Sequence, residues 1–305
     1  MRALLTTGDG VAPSEVPEPR PSPGQALIDV DAISLNRGEI AALAAARPGL
    51  PWGWDAAGTV RVPAADGSGP TAGSRVVGLA QPPGAWAEAA VVDTSLLATL
   101  PDAVSATAAA TLPVAGLTAL YALDVAGLLG RRVLITGATG GVGRFAVQLA
   151  RRGGARHVSA LVRDPSAAAD LLDLGADELI GEIDPAGPRE DVIVDSVGGA
   201  TLGAAIKRAA ANGVVVSLGD TVGEPLAFSP FDLGPNGARL HALRVFTEVR
   251  RRATGAQDLA YLASGLADGW LDAQVELVAP WEQAGEAIAA LMDRRVRGKV
   301  VLTLT

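Results

Sequence analysis

Four glycines fall within seven residues of this chain, in the run Gly137-Ala138-Thr139-Gly140-Gly141-Val142-Gly143, between an apolar stretch and a helical one. Val133 to Thr136 suits a central parallel strand, and the residues after the turn carry helical spacing at Phe145, Val147, Leu149 and Ala150. Strand, tight turn and helix in that order make a seat for a pyrophosphate, because the unpaired N–H groups of a helix start face the anion. Gly140, Gly141, Val142 and Gly143 are the expected contacts. Their glycines allow unusual dihedrals, close approach to the phosphates and tight packing of helix on strand. No lysine is needed.

About twenty residues after the turn, a second strand, Val158 to Val162, is expected to end beside an adenosine ribose, where NAD-binding proteins place an acidic residue. This chain has Arg163 there. A guanidinium grips a 2′-phosphate with paired, charge-assisted hydrogen bonds and offers the ribose hydroxyls no acceptor. NADPH is therefore the expected cofactor. The other reading makes Arg163 an exposed loop residue and Asp164 the ribose reader.

The elements that must position these residues divide into two kinds. Up to about residue 100 short strands alternate with glycine and proline, as in Gln25 to Ile33, Ala57 to Val62, Ser74 to Leu79 and Ala87 to Val92, the pattern of a small antiparallel barrel. From about 130, strands alternate with helices: Val133 to Thr136, Val158 to Val162, Glu178 to Ile180, Val192 to Val194, Val214 to Leu218 and Leu240 to Phe246. Six strands with helical crossovers make a doubly wound sheet. Ala273 to Val278, a helix from Glu282 to Arg294 and Lys299 to Leu304 then return to the barrel. The expected division is 1–100 with 272–305 for the barrel and 101–271 for the nucleotide-binding domain.

Composition narrows the rest. The chain has 305 residues and is 49% hydrophobic, enough for two sizeable cores. A net charge of −8 argues against nucleic acid or an anionic membrane as partner. With no cysteine and only His157 and His241, disulfides and thiolate metal sites are excluded. Met1 leads directly into a strand-like segment without a signal-peptide pattern, so a cytoplasmic location is expected. Ala106 to Leu123 is uncharged but rich in Ala, Thr and Gly and interrupted by Pro113, which suggests two packed helices and no membrane span.

Ser34-Leu35-Asn36, Gly53-Trp54-Asp55-Ala56-Ala57-Gly58, Gly84-Ala85-Trp86-Ala87-Glu88, Leu112-Pro113-Val114-Ala115-Gly116-Leu117-Thr118, the glycine turn and Gly298-Lys299-Val300-Val301-Leu302 occur in this order. With them the chain resembles, over nearly its whole length, the zinc-independent quinone oxidoreductase-like branch of the medium-chain dehydrogenase/reductase superfamily. The resemblance implies an α/β fold, with a doubly wound parallel six-stranded nucleotide-binding sheet and a GroES-like antiparallel β-barrel. Zinc-using relatives bind the metal through a cysteine and a Gly-His-Glu motif; here Gly53-Trp54-Asp55 stands in the motif's place, and no metal is expected.

The same resemblance implies roles for single residues. Asn36 matches an asparagine beside nicotinamide and substrate, where its amide would donate to an enolate or orient a water; the other reading is a cap asparagine. Arg37 is a candidate oxyanion donor or the partner of Glu39. Thr118, Ser196, Gly198, Leu218, Gly219 and Lys299 are expected near the cofactor, with Lys299 alternatively a surface charge. Trp52, Trp54 and Trp86 would line a pocket for a flat substrate or fill the barrel core. The tyrosine that many relatives carry some ten residues after the asparagine is absent from Ile40 to Leu50.

The expected activity is NADPH-dependent, metal-independent delivery of hydride to a quinone or α,β-unsaturated carbonyl compound, a small-molecule substrate. Alternatives are an enoyl-thioester or simple carbonyl reductase, and a catalytically silent NADPH-binding protein. A homodimer through residues 240–246 is expected, because an edge strand there would otherwise be exposed.

Overall fold

A computed structural model of the chain describes residues 1–8, 10–233 and 237–304. They form two units, 1–117 with 249–305, and 118–248.

The chain opens with β1 (Arg2–Thr6) and β2 (Val11–Glu15), an antiparallel ribbon, followed by the long β3 (Gln25–Leu35) and the short helix α1 (Arg37–Leu43). Then come β4 (Asp55–Val62), β5 (Arg75–Leu79), β6 (Ala89–Asp93), β7 (Leu97–Thr99) and α2 (Ala106–Ala109). After a wide turn at Leu112–Gly116, α3 (Leu117–Asp124) leads into the second unit: β8 (Arg132–Ile135), α4 (Gly141–Arg152), β9 (His157–Leu161), α5 (Asp170–Asp173), β10 (Glu178–Ile180), β11 (Glu190–Asp195), α6 (Gly199–Arg208), β12 (Ala209–Ser217), β13 (Arg239–Ala242) and α7 (Val245–Arg252). The chain closes with α8 (Gly255–Ala267), β14 (Val275–Pro280), α9 (Ala284–Met292) and β15 (Lys299–Thr303).

In the barrel unit the strands pair in the order β14-β15-β3-β4-β5-β7, with β6 on β3. β15 runs antiparallel to β3, so the tail does return to the barrel, but β14 lies parallel to β15 through the α9 crossover. Leu4, Ile28, Ile33, Trp86, Trp281 and Val300 share its core. In the nucleotide unit all six strands are parallel, in the order β10-β9-β8-β11-β12-β13. Its residues Leu134, Ile193 and Val215 pack with Leu202 and Ile206 of α6.

Three expectations are corrected. Residues 101–117 and 249–271 belong with the barrel rather than with the nucleotide sheet: α2 packs on β3, β4 and β15, and α8 packs on β7, where Gly255 leaves room for Leu96. The last strand of the parallel sheet is only Arg239–Ala242, and Val245 already opens a helix. Pro113 does not split 106–123 into two packed helices. Lacking an N–H, it widens the ladder into a π-type turn within one helical run, Ala106–Asp124. That run is long and apolar enough to cross a membrane, but 78% of its most apolar window is buried.

Candidate functional site

The glycine turn is built on contacts that only glycine tolerates. Gly137 takes φ +60°, and a Cβ there would overlap Ser196 Oγ. At Gly143 a Cβ would lie 2.7 Å from Ala138 Cα and closer still to the Gly137 carbonyl, so backbone would have to move. Gly140 caps α4 with ordinary extended dihedrals, and Gly141 is the helix's first residue. The unusual dihedral thus falls on Gly137, while Gly143 serves the close packing of helix on turn. Val142 follows inside the first turn of α4. The helix start presents unpaired N–H groups, and the motif fits a dinucleotide pyrophosphate.

Behind the turn, two strand ends are stitched together by residues the sequence reading missed. Thr136 Oγ1 donates to Asp195 Oδ1 at 2.6 Å and accepts the Ser196 N–H at 3.2 Å. Asp195 Oδ2 accepts the Gly198 N–H at 3.0 Å, and its carbonyl accepts the Leu218 N–H at 2.9 Å. Burial pushes the Asp195 carboxyl up from its ordinary range, against these donors. Ser196, Gly198, Leu218 and Gly219 therefore do gather at the carboxyl ends of β11 and β12; a Cβ on Gly219 would sit 3.4 Å from the Ser196 carbonyl. The available signal was an acidic residue closing the apolar run Val192-Ile193-Val194. Thr118 is buried at the start of α3.

Arg163 lies exposed just past β9, and among the described residues its side chain has no hydrogen bond or ion pair. Asp164, its rival as cofactor reader, is committed locally. Its Oδ1 accepts the Ser166 N–H at 3.0 Å and the Ser166 hydroxyl at 2.6 Å, capping the turn that follows.

The barrel unit holds a second polar site. Strand register brings Leu35 opposite Val300 and Ser34 opposite Asp55, which sets Asn36 beside Lys299 and near Asp55. Lys299 Nζ donates to Asn36 Oδ1 at 2.7 Å and to the Leu35 carbonyl at 3.1 Å, and lies 3.9 Å from Asp55 Oδ2. Asn36 Nδ2 donates to Asp55 Oδ2 at 2.8 Å and to Glu39 Oε1 at 3.0 Å. Glu39 also accepts the Asn36 and Trp54 backbone N–H groups, at 2.7 and 3.1 Å. Asp55 Oδ1 accepts the Val114 N–H, which the widened turn at Pro113 leaves available.

Glu39, Asp55 and Lys299 are buried in this cluster. Burial, and then the charge of Asp55, pushes Glu39 up to about 8. Burial likewise takes Asp55 up to about 6 and pulls Lys299 down. Two carboxylates share one ammonium, so the cluster retains a proton more readily than isolated acids would.

This geometry revises several expected roles. Lys299 is buried, not a surface charge. Both amide hydrogens and the oxygen of Asn36 are engaged, leaving the carboxamide nothing to offer an enolate in this arrangement. The Arg37 guanidinium donates to the carbonyls of Leu291 and Met292, at 2.7 and 3.1 Å, capping the end of α9. Two of its donors are thus spent on the end of α9. Trp86 is fully buried in the barrel core; Gly53, with φ +93°, leaves the space its indole fills. Trp52 and Trp54 are half-buried beside Glu39, whose carbonyl accepts Trp52 Nε1–H at 3.1 Å.

The donor set does not fit zinc. Among the described residues no three His, Asp or Glu side chains converge on a metal position, and the Glu39 and Asp55 oxygens are taken by N–H donors and an ammonium.

The profile of the zinc-binding dehydrogenase family matches residues 174–302. Quinone-oxidoreductase QR1, chloroplastic, of Triphysaria versicolor is 30% identical over 99% of this chain and 98% of its own length. Erythronolide synthase EryA2 of Saccharopolyspora erythraea is 36% identical over 98% of this chain, which spans only 9% of that synthase. Among solved structures, mycobacterial Rv1454c complexed with NADPH superposes with a TM-score of 0.88 at 27% identity, over 99% of each chain. A parallel nucleotide sheet and a GroES-like barrel in one chain define an oxidoreductase of the medium-chain dehydrogenase/reductase type. The chain belongs to that superfamily, in its quinone oxidoreductase-like branch.

Proposed function

We propose that this protein uses NADPH, without a metal, to reduce a conjugated carbon–carbon double bond beside a carbonyl, as in an enone or quinone. The observation that carries the cofactor reading is Arg163, an uncommitted guanidinium past β9, with Asp164 held in its own turn. The NADPH bound in the related mycobacterial structure supports it.

When bound, the dihydronicotinamide supplies a hydride. The chain's own residues would hold the cofactor, the start of α4 at the pyrophosphate and Arg163 at the 2′-phosphate, while Asp195 and Thr136 fix the loop at Ser196 and Gly198. In the barrel unit Asn36, Glu39, Asp55 and Lys299 are positioning residues that fix where β3 ends and β4 begins. The chemistry so supplied would be hydride addition at the β-carbon, with the negative charge on the carbonyl oxygen and a proton from water completing the reduction. A homodimer through the β13 edge, within 240–246, completes the reading, since β13 ends the parallel sheet.

An enoyl thioester is the second substrate reading, favoured by the 36% identity to the erythronolide synthase segment. NADPH oxidation measured against quinones, enones and enoyl thioesters separates the two. Turnover of quinones or enones is expected; NADPH binding without turnover of any of them overturns the proposal. Arg163→Ala is expected to weaken NADPH about tenfold or more while leaving NADH binding nearly unchanged. Equal affinity of the wild type for the two cofactors would sink the NADPH assignment.

A further inference from the structure

We infer that Arg144 is a positioning residue for cofactor selectivity, tying the pyrophosphate turn to the loop that carries Arg163; this rests on the NADPH reading above.

Arg144 directly follows the last glycine of the turn, at a place on α4 where an arginine would ordinarily be solvated. Its side chain is only 7% exposed. A buried guanidinium persists when its donors are paired, and the partners here lie on two different segments, the glycine turn and the start of α5. Nε donates to the Thr139 carbonyl, inside the glycine turn, at 3.3 Å. Nη1 forms an ion pair with Asp170 Oδ2 at 2.5 Å. Asp170 opens α5, and only residues 164–169 separate it from Arg163.

The same helix face makes a second tie two turns on. Arg151 donates to the Gly175 carbonyl at 3.0 Å and pairs with Asp177 Oδ2 at 2.5 Å, just beyond the end of α5. Residues seven apart lie on one stripe of a helix, so α5 is strung between two arginines of α4. Only the first of them also touches the turn. Between Arg163 and Asp170 the chain is short and further fixed by the Asp164 cap, so displacement at Asp170 is carried to Arg163. A fork of N–H donors loses its grip on phosphate when its base shifts by about an ångström.

The test uses Asp170→Ala, because Asp170 is half-exposed and its loss leaves the Thr139 contact in place. Dissociation constants for NADPH and NADH are measured for the wild type, Arg163→Ala, Asp170→Ala, Asp170→Glu and the Arg163→Ala/Asp170→Ala double variant. Asp170→Ala is expected to lower the preference for NADPH by about fivefold to tenfold, with NADH affinity changed by less than about twofold. Asp170→Glu restores part of the preference, and the double variant is no less selective than Arg163→Ala alone. A purely structural role would weaken both cofactors together. If Arg163→Ala abolishes the preference and Asp170→Ala retains it, this inference falls and the NADPH reading stands. If the wild type has no preference, both fall.

Discussion

The two polar sites of this protein are made in opposite ways. The glycine turn of the nucleotide unit is one contiguous run, in which Gly143 packs on the backbone of Gly137 and Ala138, although Gly137 is also hemmed in by Ser196 of the neighbouring strand end. The barrel cluster joins the locally capped pair Asn36 and Glu39 to Asp55 and Lys299, which are distant in the chain and brought there by strand pairing. At Gly137 and Gly143 the first tolerates no added atom, and the second depends on its buried polar partners. A local motif is enforced by sterics over a few bonds, whereas an assembled cluster is enforced by the free energy of burying charge.

The largest effect is expected at the assembled site. Lys299→Met leaves Asn36 Oδ1 and the Leu35 carbonyl without their donor and Asp55 without its cation, a loss of about 3–5 kcal/mol in chemical denaturation. A loss below about 1 kcal/mol would show that the cluster is not held by charge. Next comes Gly143→Ala, whose Cβ meets backbone that cannot yield. It should destabilise the protein by about 1–3 kcal/mol and remove NADPH binding in a cofactor titration. Retained binding would reduce the turn to an ordinary loop.

A pH series sharpens the contrast further. Glu39, raised from 4.5 to about 8 in the fold, binds protons more tightly folded than unfolded. Its contribution is full below about pH 4.5 and is lost as pH rises through about 8; that of Asp55 is lost as pH rises from 3.8 through about 6. Lys299, pulled down, acts in the opposite sense at alkaline pH. Stability of Glu39→Gln should therefore fall less between pH 5 and 8 than that of the wild type, and parallel curves would refute the raised carboxyl. The smallest effect is expected at Ser34, whose buried hydroxyl has no partner among the described residues: Ser34→Ala should leave the melting temperature unchanged or slightly higher. A clear fall would reveal a partner for that hydroxyl.

Much of the fold was legible because its signals are local. The six parallel strands, the turn and the helix after it follow from apolar runs, glycine spacing and helical periodicity, with ends shifted by a few residues. The misjudged parts depended on contacts at a distance. Residues 249–271 look like a continuation of the alternating pattern, yet α8 packs on β7. Arg37 and Trp86 carry side chains suited to a site, but one caps a helix some 250 residues away and the other fills the core. Asp195 was overlooked because a single acid after an apolar run is a weak signal until the neighbouring strand brings Thr136 against it.

By itself the sequence determined the nucleotide turn, the place of Arg163 at the end of the second strand and the lack of a thiolate metal site, since these depend on residue type and short spacing. Only the tertiary structure decided that Lys299 is buried, that Asn36 has no free hydrogen-bonding group and that Arg144 reaches Asp170. Strand register and helix packing fix which distant side chains meet, and in a dry interior that meeting decides which of them carry charge.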